Sequence, residues 1–516
     1  MNTAASTGEG VKPSAPDPRA LVAIDLGAES CRVSLLRWAA DDHKPQIEMV
    51  HRFANSAVER EDGLHWDIEK IWAGLELGLR RCAEIATERV AAIAVDGWAV
   101  DYVCLDAEDN LLWEPYCYRD ARTVAAEQRL QERITPERLY AVTGIQQLRL
   151  NTLYQMYADR LAGLPQPALW LNLPEYILYR LGGRPVSEYT NAAHTAMVDI
   201  AAKDWSEEVF DAAGLELKAA PGIVPPGSTV GRVRGPLAQL TAFEDTLLIA
   251  PGCHDTASAI AGIPANVTHS AALRTGGSVA QTASGNDWAY ISSGTWSLVG
   301  TLLERACQGD SAREGNYTNL GAVGGGVCFH KNVNGMWMLR QCIDHWYQHG
   351  SDLTVPELVQ AAEKIAPPAG LLDLRDDALL LPGNMPGFIN TQRSRLGLEP
   401  LPEGGEHGPL YASLIFHSLA ARYAEVLREV ASITGKSFSR IYIVGGGSRN
   451  LLLNRLTEQA TGLQVIAGAV ESSTLGNFAV QMATLEGAYD AVTGVQASAV
   501  ARWAGVLAEH AAHSAS

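Results

Sequence analysis

The stretch Ala250-Pro-Gly-Cys-His-Asp-Thr-Ala-Ser258 joins a predicted strand to a predicted helix through a turn that carries a carboxylate. The apolar run 246–250 predicts a buried strand, the Pro-Gly pair predicts a turn, and the small residues of 257–261 can begin a helix. A carboxylate at such a break is held by backbone on both sides and opens to a cleft, which suits a general base. The alternative is that Asp255 is a helix N-cap, a common role for aspartate before an apolar run.

Two similar hairpins flank this stretch. Residues 21–27 and 31–38 are strand-like runs joined by the small, polar turn Gly27-Ala-Glu-Ser30. Residues 291–300, Ile-Ser-Ser-Gly-Thr-Trp-Ser-Leu-Val-Gly, repeat this pattern of strand, turn and strand. Two such hairpins half a chain apart predict two similarly built halves whose turns face each other across a cleft. The alternative is that two hairpins of this composition occur in one chain by chance.

Phosphate groups could bind at two glycine-containing turns. The first hairpin turn can present consecutive N–H groups to phosphate oxygens, and Asp25 just before it could hold a hydrated Mg²⁺. The alternative is an ordinary hairpin in which Asp25 accepts hydrogen bonds from turn amides. The run 440–444 leads into Gly445-Gly-Gly-Ser-Arg-Asn450, which allows close approach of backbone to part of a nucleotide. Gly435-Lys-Ser437 is not a P-loop, because Val430 replaces the leading glycine and the motif precedes a strand.

The composition is that of a globular chain of 516 residues, 47% apolar and 19% charged. Since a single core stops growing at about 250–300 residues, two or more domains are expected. Strand-like runs such as 90–95 alternate with helical patterns such as 67–86, for which Asp67 is the predicted N-cap, so the predicted fold class is α/β. The formal net charge of −18 argues against a nucleic-acid surface.

The composition also predicts where in the cell the protein is located. No run is long and apolar enough to cross a bilayer, and residues 1–20, rich in Ala, Ser, Gly and Pro, lack the features of a signal peptide. We therefore expect a disordered N-terminal tail and a cytoplasmic protein, with its eight cysteines reduced because they include no C-x-x-C pair.

Residues 188–191 are predicted as strand or loop, and 410–434 as a long amphipathic helix. Part of the segment 262–290 is expected to be a surface excursion.

Taken together, these motifs resemble the FGGY carbohydrate kinases, and within them the rhamnulokinases, from about Leu21 to Leu485. The matching motifs occur in the same order along the chain: Ile24-Asp-Leu-Gly-Ala28, His65-Trp-Asp67, Val95-Asp-Gly-Trp-Ala-Val-Asp101, Tyr118-Arg-Asp-Ala-Arg122, Gly144-Ile-Gln146, Asn151-Thr-Leu-Tyr-Gln155, Glu188-Tyr-Thr-Asn-Ala192, His254-Asp-Thr-Ala-Ser258, Ser292-Ser-Gly-Thr-Trp-Ser-Leu298, Lys331-Asn332 and Val444-Gly-Gly-Gly447.

The resemblance implies the two-domain, actin-like and ribonuclease H-like architecture that sugar kinases share with Hsp70 and actin, with a cleft between the domains. The implied division is a disordered tail at 1–19, an N-terminal domain with the sugar site and catalytic base at 20–262, a C-terminal nucleotide-binding domain at 263–505 and a tail at 506–516. It also implies ATP and Mg²⁺ as cofactors, a small sugar as the other partner, no nucleic-acid or membrane partner, and a monomer or homodimer.

The family's site residues correspond to positions of this sequence. By resemblance, Asp255 would be the catalytic base and Asp25 would contact the metal through water. The implied ATP contacts are Ala28, Glu29, Ser30, Cys31, Arg32, Thr295 and Gly446. The implied sugar contacts are Ala99, His254, Asp255, Thr256 and Asn332.

The implied activity is ATP-dependent phosphorylation of the terminal hydroxyl of a ketose, most closely L-rhamnulose to L-rhamnulose 1-phosphate, with Asp255 as general base. The alternatives are a kinase for another ketose or a polyol, such as L-fuculose or xylulose, and, from another class, a non-kinase ATPase on the actin/Hsp70 fold. The chain departs from the rhamnulokinase pattern at Cys31, where glycine is usual, at Ala99, where Gly-Trp-Ala replaces Thr-Trp-Gly, and at Arg340, where glutamine is usual. At Cys31 we expect a side chain inside the phosphate turn, and the segment between 262 and 291 is longer than usual.

Overall fold

The computed structural model describes residues 17–39, 44–265 and 287–513. Within these residues the strands are β1 (Ala20–Leu26), β2 (Ser30–Trp38), β3 (Pro45–Ala54), β4 (Val58–Arg60), β5 (Gly63–His65), β6 (Val90–Gly97), β7 (Tyr102–Leu105), β8 (Leu169–Asn172), β9 (Val186–Glu188), β10 (Val198–Asp199), β11 (Asp204–Trp205), β12 (Gly222–Val224), β13 (Ser228–Arg232), β14 (Leu247–Ala250), β15 (Trp288–Ser293), β16 (Trp296–Leu303), β17 (Thr318–Gly321), β18 (Val327–Asn334), β19 (Arg440–Val444), β20 (Gln464–Ala467), β21 (Tyr489–Asp490) and β22 (Gly494–Val495).

Helices alternate with these strands. They are α1 (Ile68–Ile85), α2 (Thr123–Leu130), α3 (Pro136–Thr143), α4 (Thr152–Leu161), α5 (Leu173–Arg180), α6 (Tyr189–His194), α7 (Glu207–Ala213), α8 (Asp255–Ala261), α9 (Asp310–Glu314), α10 (Trp337–Gln348), α11 (Val355–Ala362), α12 (Met385–Arg395), α13 (Gly408–Thr434), α14 (Leu451–Thr461), α15 (Ser472–Leu485) and α16 (Ala497–His513). Short 3-10 helices lie at Leu217–Ala219, Gly235–Gln239, Thr241–Phe243, Asp377–Leu380, Gly405–His407 and Gly446–Arg449.

The first large sheet has the strand order β13-β14-β6-β1-β2-β3. Strands β1 and β2 form the predicted antiparallel hairpin, whose register sets Asp25 opposite Arg32. Strand β6 runs parallel to both β1 and β14, and every residue of β1 and β6 is buried. Because the carboxyl ends of parallel strands meet at one edge of a sheet, Asp25, Asp96 and the turn before Asp255 come together there.

The second large sheet has the order β17-β18-β16-β15-β19-β20 and repeats the plan of the first. Strands β15 and β16 form an antiparallel hairpin, and β15, β19 and β20 run parallel. In both sheets, therefore, a hairpin is followed by parallel strands whose carboxyl ends face the same opening. This confirms the prediction of two similarly built halves and the α/β, two-domain, actin-like fold class.

Two helices cross between the halves at very close range. A Cβ atom added at Gly476 of α15 would collide with the carbonyl oxygen of Ser258 in α8, because the two atoms would be much closer than the 3.0 Å that Cβ atoms keep from their neighbours. Gly262, which follows α8, also approaches α15 closely, since its added Cβ would lie 2.5 Å from the carbonyl oxygen of Ser472. Glycine is needed at both positions because any side chain would push the helices apart.

The C-terminal helices pack on the first sheet rather than on the second. Phe478 of α15 and Trp503 of α16 belong to a buried cluster with Leu21, Ala91 and Ile249. Helix α16 extends to His513, and Leu507 in it is buried, so the predicted tail at 506–516 is wrong for residues 506–513. The physical reason is that apolar residues at helical spacing in α16 cover the sheet.

Other local predictions are confirmed or corrected. Asp67 caps α1 by accepting a hydrogen bond from the Lys70 amide, as predicted, and α13 covers the predicted helix 410–434. Residues 189–191, predicted as strand or loop, begin α6 instead, because the Glu188 carboxylate accepts from the Thr190 amide and caps that helix. Most of the predicted N-terminal tail and of the excursion within 262–290 lies outside the described residues. Among the described helices, none is long and apolar enough to span a bilayer.

Candidate active site

Asp255 stands at the start of α8, where β14 ends in the Pro-Gly turn. The N-cap position belongs to His254 and Asp255 is the first residue of α8, so the N-cap alternative for Asp255 is wrong. Its carboxylate accepts a hydrogen bond from the Thr256 hydroxyl at 3.2 Å and lies 3.5 Å from His254 Nε2. With 36% of its side chain exposed to the cleft, Asp255 can reach a bound molecule.

The surroundings of Asp255 suit proton abstraction near neutral pH. Burial, followed by the negative charge of Asp25, raises the pKa of Asp255 to about 7, against the lowering effect of the Thr256 hydrogen bonds. A general base works best when its pKa lies near the operating pH. Asp255 can therefore take up a proton and release it again under ordinary conditions.

The turn that carries Asp255 is anchored by a buried carboxylate. Glu188 accepts hydrogen bonds from the Cys253 amide at 2.8 Å and from the amide and hydroxyl of Thr190. The Thr190 hydroxyl oxygen in turn accepts from the His254 amide at 3.3 Å. Since the Glu188 side chain is fully buried, its orientation is fixed, and it fixes the backbone on which Asp255 stands.

Replacing Glu188 tests this anchoring. In Glu188→Gln one acceptor oxygen becomes an NH₂ group that faces an amide donor, so we expect kcat to fall about tenfold and stability to fall by about 2 kcal/mol. Steady-state kinetics and thermal melting measure both effects. The control is Glu69→Gln, which removes an exposed ion pair with Arg180 and should change neither quantity appreciably. An unchanged kcat in Glu188→Gln would show that the turn holds its shape without this anchor.

The first hairpin turn forms one wall of the same cleft. Asp25 accepts hydrogen bonds from the Ser473 hydroxyl at 2.8 Å and from Arg32 at 3.3 Å, and Arg32 also pairs with Glu471 at 3.2 Å. The Asn55 side chain donates to the carbonyl oxygen of Gly27 at 3.1 Å and holds the turn from outside. The turn is thus fixed by both halves of the chain.

Cys31 is the one predicted ATP contact that lies away from the cleft. Its thiol is fully buried in the core below the turn, where it points back to the carbonyl oxygen of Gly27 at 3.8 Å. Burial raises the pKa of the Cys31 thiol to about 12. The expectation of a side chain inside the phosphate turn is therefore wrong, because alternate residues of β2 point to opposite faces of the sheet.

The second hairpin turn and the glycine-rich turn form the opposite wall. A Cβ at Gly447 would collide with the side chain of Ser293, and Gly445 has φ +81°, so the two turns pack with no room for side chains. The Thr295 hydroxyl donates to the Glu29 carboxylate across the cleft at 3.1 Å. The turns of the two hairpins thus face each other, as the sequence pattern predicted.

Between these walls lies a cleft of about 1250 Å³. It is lined by Asp25, Ala28, Glu29, Ser30, Arg32, Ala99, His254, Asp255, Thr256, Thr295, Asn332 and Gly446, so every other predicted site residue reaches it. Asn332 is held by Gln146, whose side-chain oxygen accepts from its amide nitrogens at 3.0 and 2.8 Å. Arg340 also lines the cleft and pairs with Asp344 at 3.0 Å.

The indole of Trp98, next to Ala99, is fixed by a buried carboxylate. Trp66 and Trp98 both donate their indole N–H to Asp101, which also accepts from Gln155 at 3.0 Å. Burial raises the pKa of Asp101 to about 6, and the hydrogen bonds oppose that rise. Ala99, which lines the same cleft as Asp255, therefore follows a tryptophan whose indole is held in place.

Asp25 presents to the cleft one carboxylate of the kind that could hold a hydrated Mg²⁺. Mg²⁺ is usually bound by one or two carboxylates and keeps several waters while the phosphates supply its other ligands. No group of three or more acidic, histidine or cysteine side chains among the described residues could hold a metal alone. Asp96 lies opposite Asp25 on β6, and burial, followed by the negative charge of Asp25, raises the pKa of Asp96 well above its usual range.

Several residues of the site were not singled out from the sequence. Ser473 and Glu471 reach the first turn from a helix start more than 400 positions later, and nothing local to them signals that contact. Glu188 and Gln146 lie within motifs that match the family, but the motifs alone indicate no structural or binding role for either residue. His194 lines the cleft beside His254 and follows the motif Glu188-Tyr-Thr-Asn-Ala192 by two residues, so no motif marks it.

The fold and the site define a two-lobed α/β protein of the actin-like ATPase type. The N-terminal domain of the FGGY family of carbohydrate kinases matches residues 20–262, and the C-terminal domain of that family matches 289–485. The chain therefore belongs to the FGGY family of carbohydrate kinases and is an ATP-dependent phosphotransferase with an alcohol group as acceptor.

Solved structures share the fold over nearly the whole chain. Ligand-bound xylulose kinase from Lactobacillus acidophilus superimposes with a TM-score of 0.69 at 15% identity, covering 96% of this chain and 98% of that one. Xylulose kinase from Rhodospirillum rubrum gives 0.68 at 16% identity, with coverage of 96% and 98%. Glycerol kinase from Plasmodium falciparum with ADP gives 0.66 at 12% identity, with coverage of 94% and 92%. At these identities the likeness concerns the fold.

Proposed function

We propose that the protein transfers the γ-phosphoryl group of ATP to the terminal hydroxyl of a ketose, most closely L-rhamnulose, to give L-rhamnulose 1-phosphate. The observation that carries the proposal is the place of the Asp255 carboxylate. It lies in one cleft that is also lined by the two hairpin turns and by Ala99 and Asn332. A hydroxyl bound between them would meet a base and a phosphoryl group at once.

Phosphoryl transfer needs positioning and charge stabilisation more than covalent help. Asp255 would accept the proton of the attacking hydroxyl as the new bond to phosphorus forms. The N–H groups of the first turn and the Thr295 hydroxyl would hold the phosphate oxygens, and the glycine-rich turn at Gly446 the nucleoside. Bound Mg²⁺ would neutralise charge on the phosphates, with Asp25 holding its water shell. Closure of the lobes would exclude water and limit hydrolysis of ATP.

Two features support a 6-deoxyketose as substrate. The sequence resembles rhamnulokinases across eleven motifs, and the cleft is lined by the apolar side chains of Val100, which follows Ala99, and of Leu148 and Leu150, which suit a methyl group. A methyl group in an apolar pocket gives a preference of about 10- to 200-fold. Xylulose lacks that methyl group, whereas L-fuculose has it and differs only in hydroxyl configuration.

A chaperone or filament-forming ATPase is the less favoured function. Such a protein has no need of a cleft-facing carboxylate with His254 and Thr256 beside it, whereas a sugar kinase uses all three. We place the reaction in the cytoplasm, where ATP is available and where free thiols persist. All eight cysteines are free thiols.

The experiment that tests the proposal is a substrate panel. Purified protein with ATP and Mg²⁺ is offered L-rhamnulose, L-fuculose, xylulose and polyols, and ADP release is coupled to identification of the product by phosphorus NMR. We expect L-rhamnulose to give the highest kcat/KM and a 1-phosphate. Sugar-independent release of ADP and phosphate would contradict the kinase proposal, and a preference for xylulose would contradict the choice of substrate.

The pH dependence of the reaction should follow Asp255. Only the carboxylate form accepts a proton, and its pKa lies at about 7, so the rate should fall about tenfold per pH unit below 7 and level off above it. The measurement is the rate with both substrates well below their KM values, so that the free enzyme is the reacting species. A rate that is constant from pH 5 to 8 would contradict the assignment of the base.

A further inference from the structure

Three buried histidines lie together next to the catalytic carboxylate. His194, His254 and His330 are exposed by 8%, 5% and 0%. The rings of His194 and His254 meet edge to face with centroids 4.9 Å apart. His254 Nε2 lies 3.5 Å from an oxygen of Asp255, so His194 stands one ring further from the reacting group. His194 and His254 line the cleft, and His330 lies behind them.

Each of these rings has a nitrogen without a hydrogen-bond partner. The atoms are Nδ1 of His194, Nδ1 of His254 and Nε2 of His330. His330 uses its other nitrogen on the Tyr290 hydroxyl at 2.8 Å. Buried polar atoms in folded proteins are nearly always paired, so these unpaired nitrogens, on rings of which two line the cleft, indicate a missing polar partner. These histidines are not part of any group of three or more His, Cys, Asp or Glu side chains that could hold a metal ion among the described residues, so the partner considered is a hydroxyl group or water.

The charge states of His194 and His254 further restrict which chemical groups the two rings can bind. Burial lowers the pKa of His194 to about 4, and burial together with the neighbouring rings lowers the pKa of His254 well below its usual range. Both rings are therefore neutral at pH 7, and each offers one donor and one acceptor. A hydroxyl group is itself a donor and an acceptor, whereas a phosphate or carboxylate would need a cation.

The position of His194 is rigid. It is the last residue of α6, whose first turn is capped by Glu188, and its carbonyl oxygen accepts from the Asn151 side chain at 3.3 Å. The same Glu188 holds the turn that carries Asp255. One buried carboxylate thus fixes both the base and the histidine, and the spacing between them is preorganised.

We propose that His194 is a substrate-binding residue that hydrogen-bonds a secondary hydroxyl of the sugar, beyond the carbon whose hydroxyl Asp255 deprotonates, and so selects among ketoses. The inference rests on the proposed function, since it needs a sugar in the cleft. A site built to bond a hydroxyl rejects a substrate that lacks it much more strongly than an apolar pocket rejects an extra group. His194 then contributes to the choice of sugar in addition to the apolar side chains of Val100, Leu148 and Leu150.

The test pairs enzyme variants with sugar analogues. His194→Phe keeps the ring volume and removes both nitrogens, and His194→Gln restores polar atoms. The matched control is His330→Gln, which alters an equally buried histidine of the same cluster that does not line the cleft. Each protein is assayed with L-rhamnulose and with analogues that lack the hydroxyl at C3, C4 or C5, and its fold is checked by thermal melting.

We expect His194→Phe to lower kcat/KM for the full sugar about 10- to 100-fold with the KM for ATP unchanged, and His194→Gln to recover part of the loss. For the one analogue that lacks the bonded hydroxyl, wild type and His194→Phe should be equally active. Equal losses for every sugar, matching those of His330→Gln, would overturn the inference and assign the nitrogens to ordered water or to packing. Unchanged kinetics in His194→Phe would also overturn it. If wild type phosphorylates none of these sugars, the proposed function itself fails.

Discussion

The Asp255→Asn variant should lose about 10³-fold in kcat, within the range that a general base contributes. Asparagine has nearly the same shape and can still accept the hydrogen bond from the Thr256 hydroxyl, but it cannot take a proton from the sugar. Binding of both substrates should therefore persist. Rapid-mixing kinetics with saturating ATP and sugar measure the loss, and calorimetric titration checks the binding of each substrate.

A matched control separates the loss of the base from a general effect of the substitution. Asp67→Asn changes the N-cap of α1. Because asparagine caps helices about as well as aspartate, this variant should keep normal kcat and stability. If Asp255→Asn kept more than a tenth of wild-type turnover, the base would have to be another group.

The second large effect is expected at the crossing of α8 and α15. In Gly476→Ala the new methyl group would collide with the carbonyl oxygen of Ser258, which lies one turn after Asp255. The helices must then separate, and a misplacement of about 1 Å at a catalytic group can cost about 10²-fold in rate. We expect kcat to fall at least that far, and overpacking to lower stability by about 3 kcal/mol. Steady-state kinetics and thermal melting measure the two effects.

The control for this substitution is Gly309→Ala. Gly309 has φ −60°, and nothing lies within 4 Å of an added Cβ, so alanine should be tolerated there with little change in either quantity. Normal activity and melting in Gly476→Ala would show that the two helices can separate without moving Asp255. In that case the close glycine contact would be a packing detail and not a determinant of the site.

Local sequence patterns were sufficient for the elements of the site. The hairpin before Arg32 and the strand-to-helix turn before Asp255 carry short, strong signals, because glycine, proline and small polar residues restrict the backbone. The repeat of the hairpin at 291–300 predicted two facing turns, and the Glu29–Thr295 contact across the cleft agrees with it.

Contacts between distant segments of the chain could not be predicted from local sequence patterns. The sequence placed Cys31 in the phosphate turn, but the register of β2 turns its thiol into the core. The contact of Ser473 with Asp25 and the attachment of α16 to the first sheet depend on how distant segments meet. His194 gave no signal by itself, since a lone histidine on a helix is usually a packed residue. Only its unpaired nitrogen and its place beside His254 give it a role.

The central claim is that the Asp255 carboxylate accepts the proton of the sugar hydroxyl while the γ-phosphoryl group moves from ATP to the sugar. The decisive measurement is a single-turnover reaction of wild type and Asp255→Asn with γ-labelled ATP, Mg²⁺ and L-rhamnulose, with the label followed into sugar phosphate or free phosphate. The account predicts rapid transfer to the terminal sugar hydroxyl by wild type, and almost none by Asp255→Asn although it binds both substrates. Label that enters water at the same rate with and without sugar, or equal transfer by the two proteins, would contradict it.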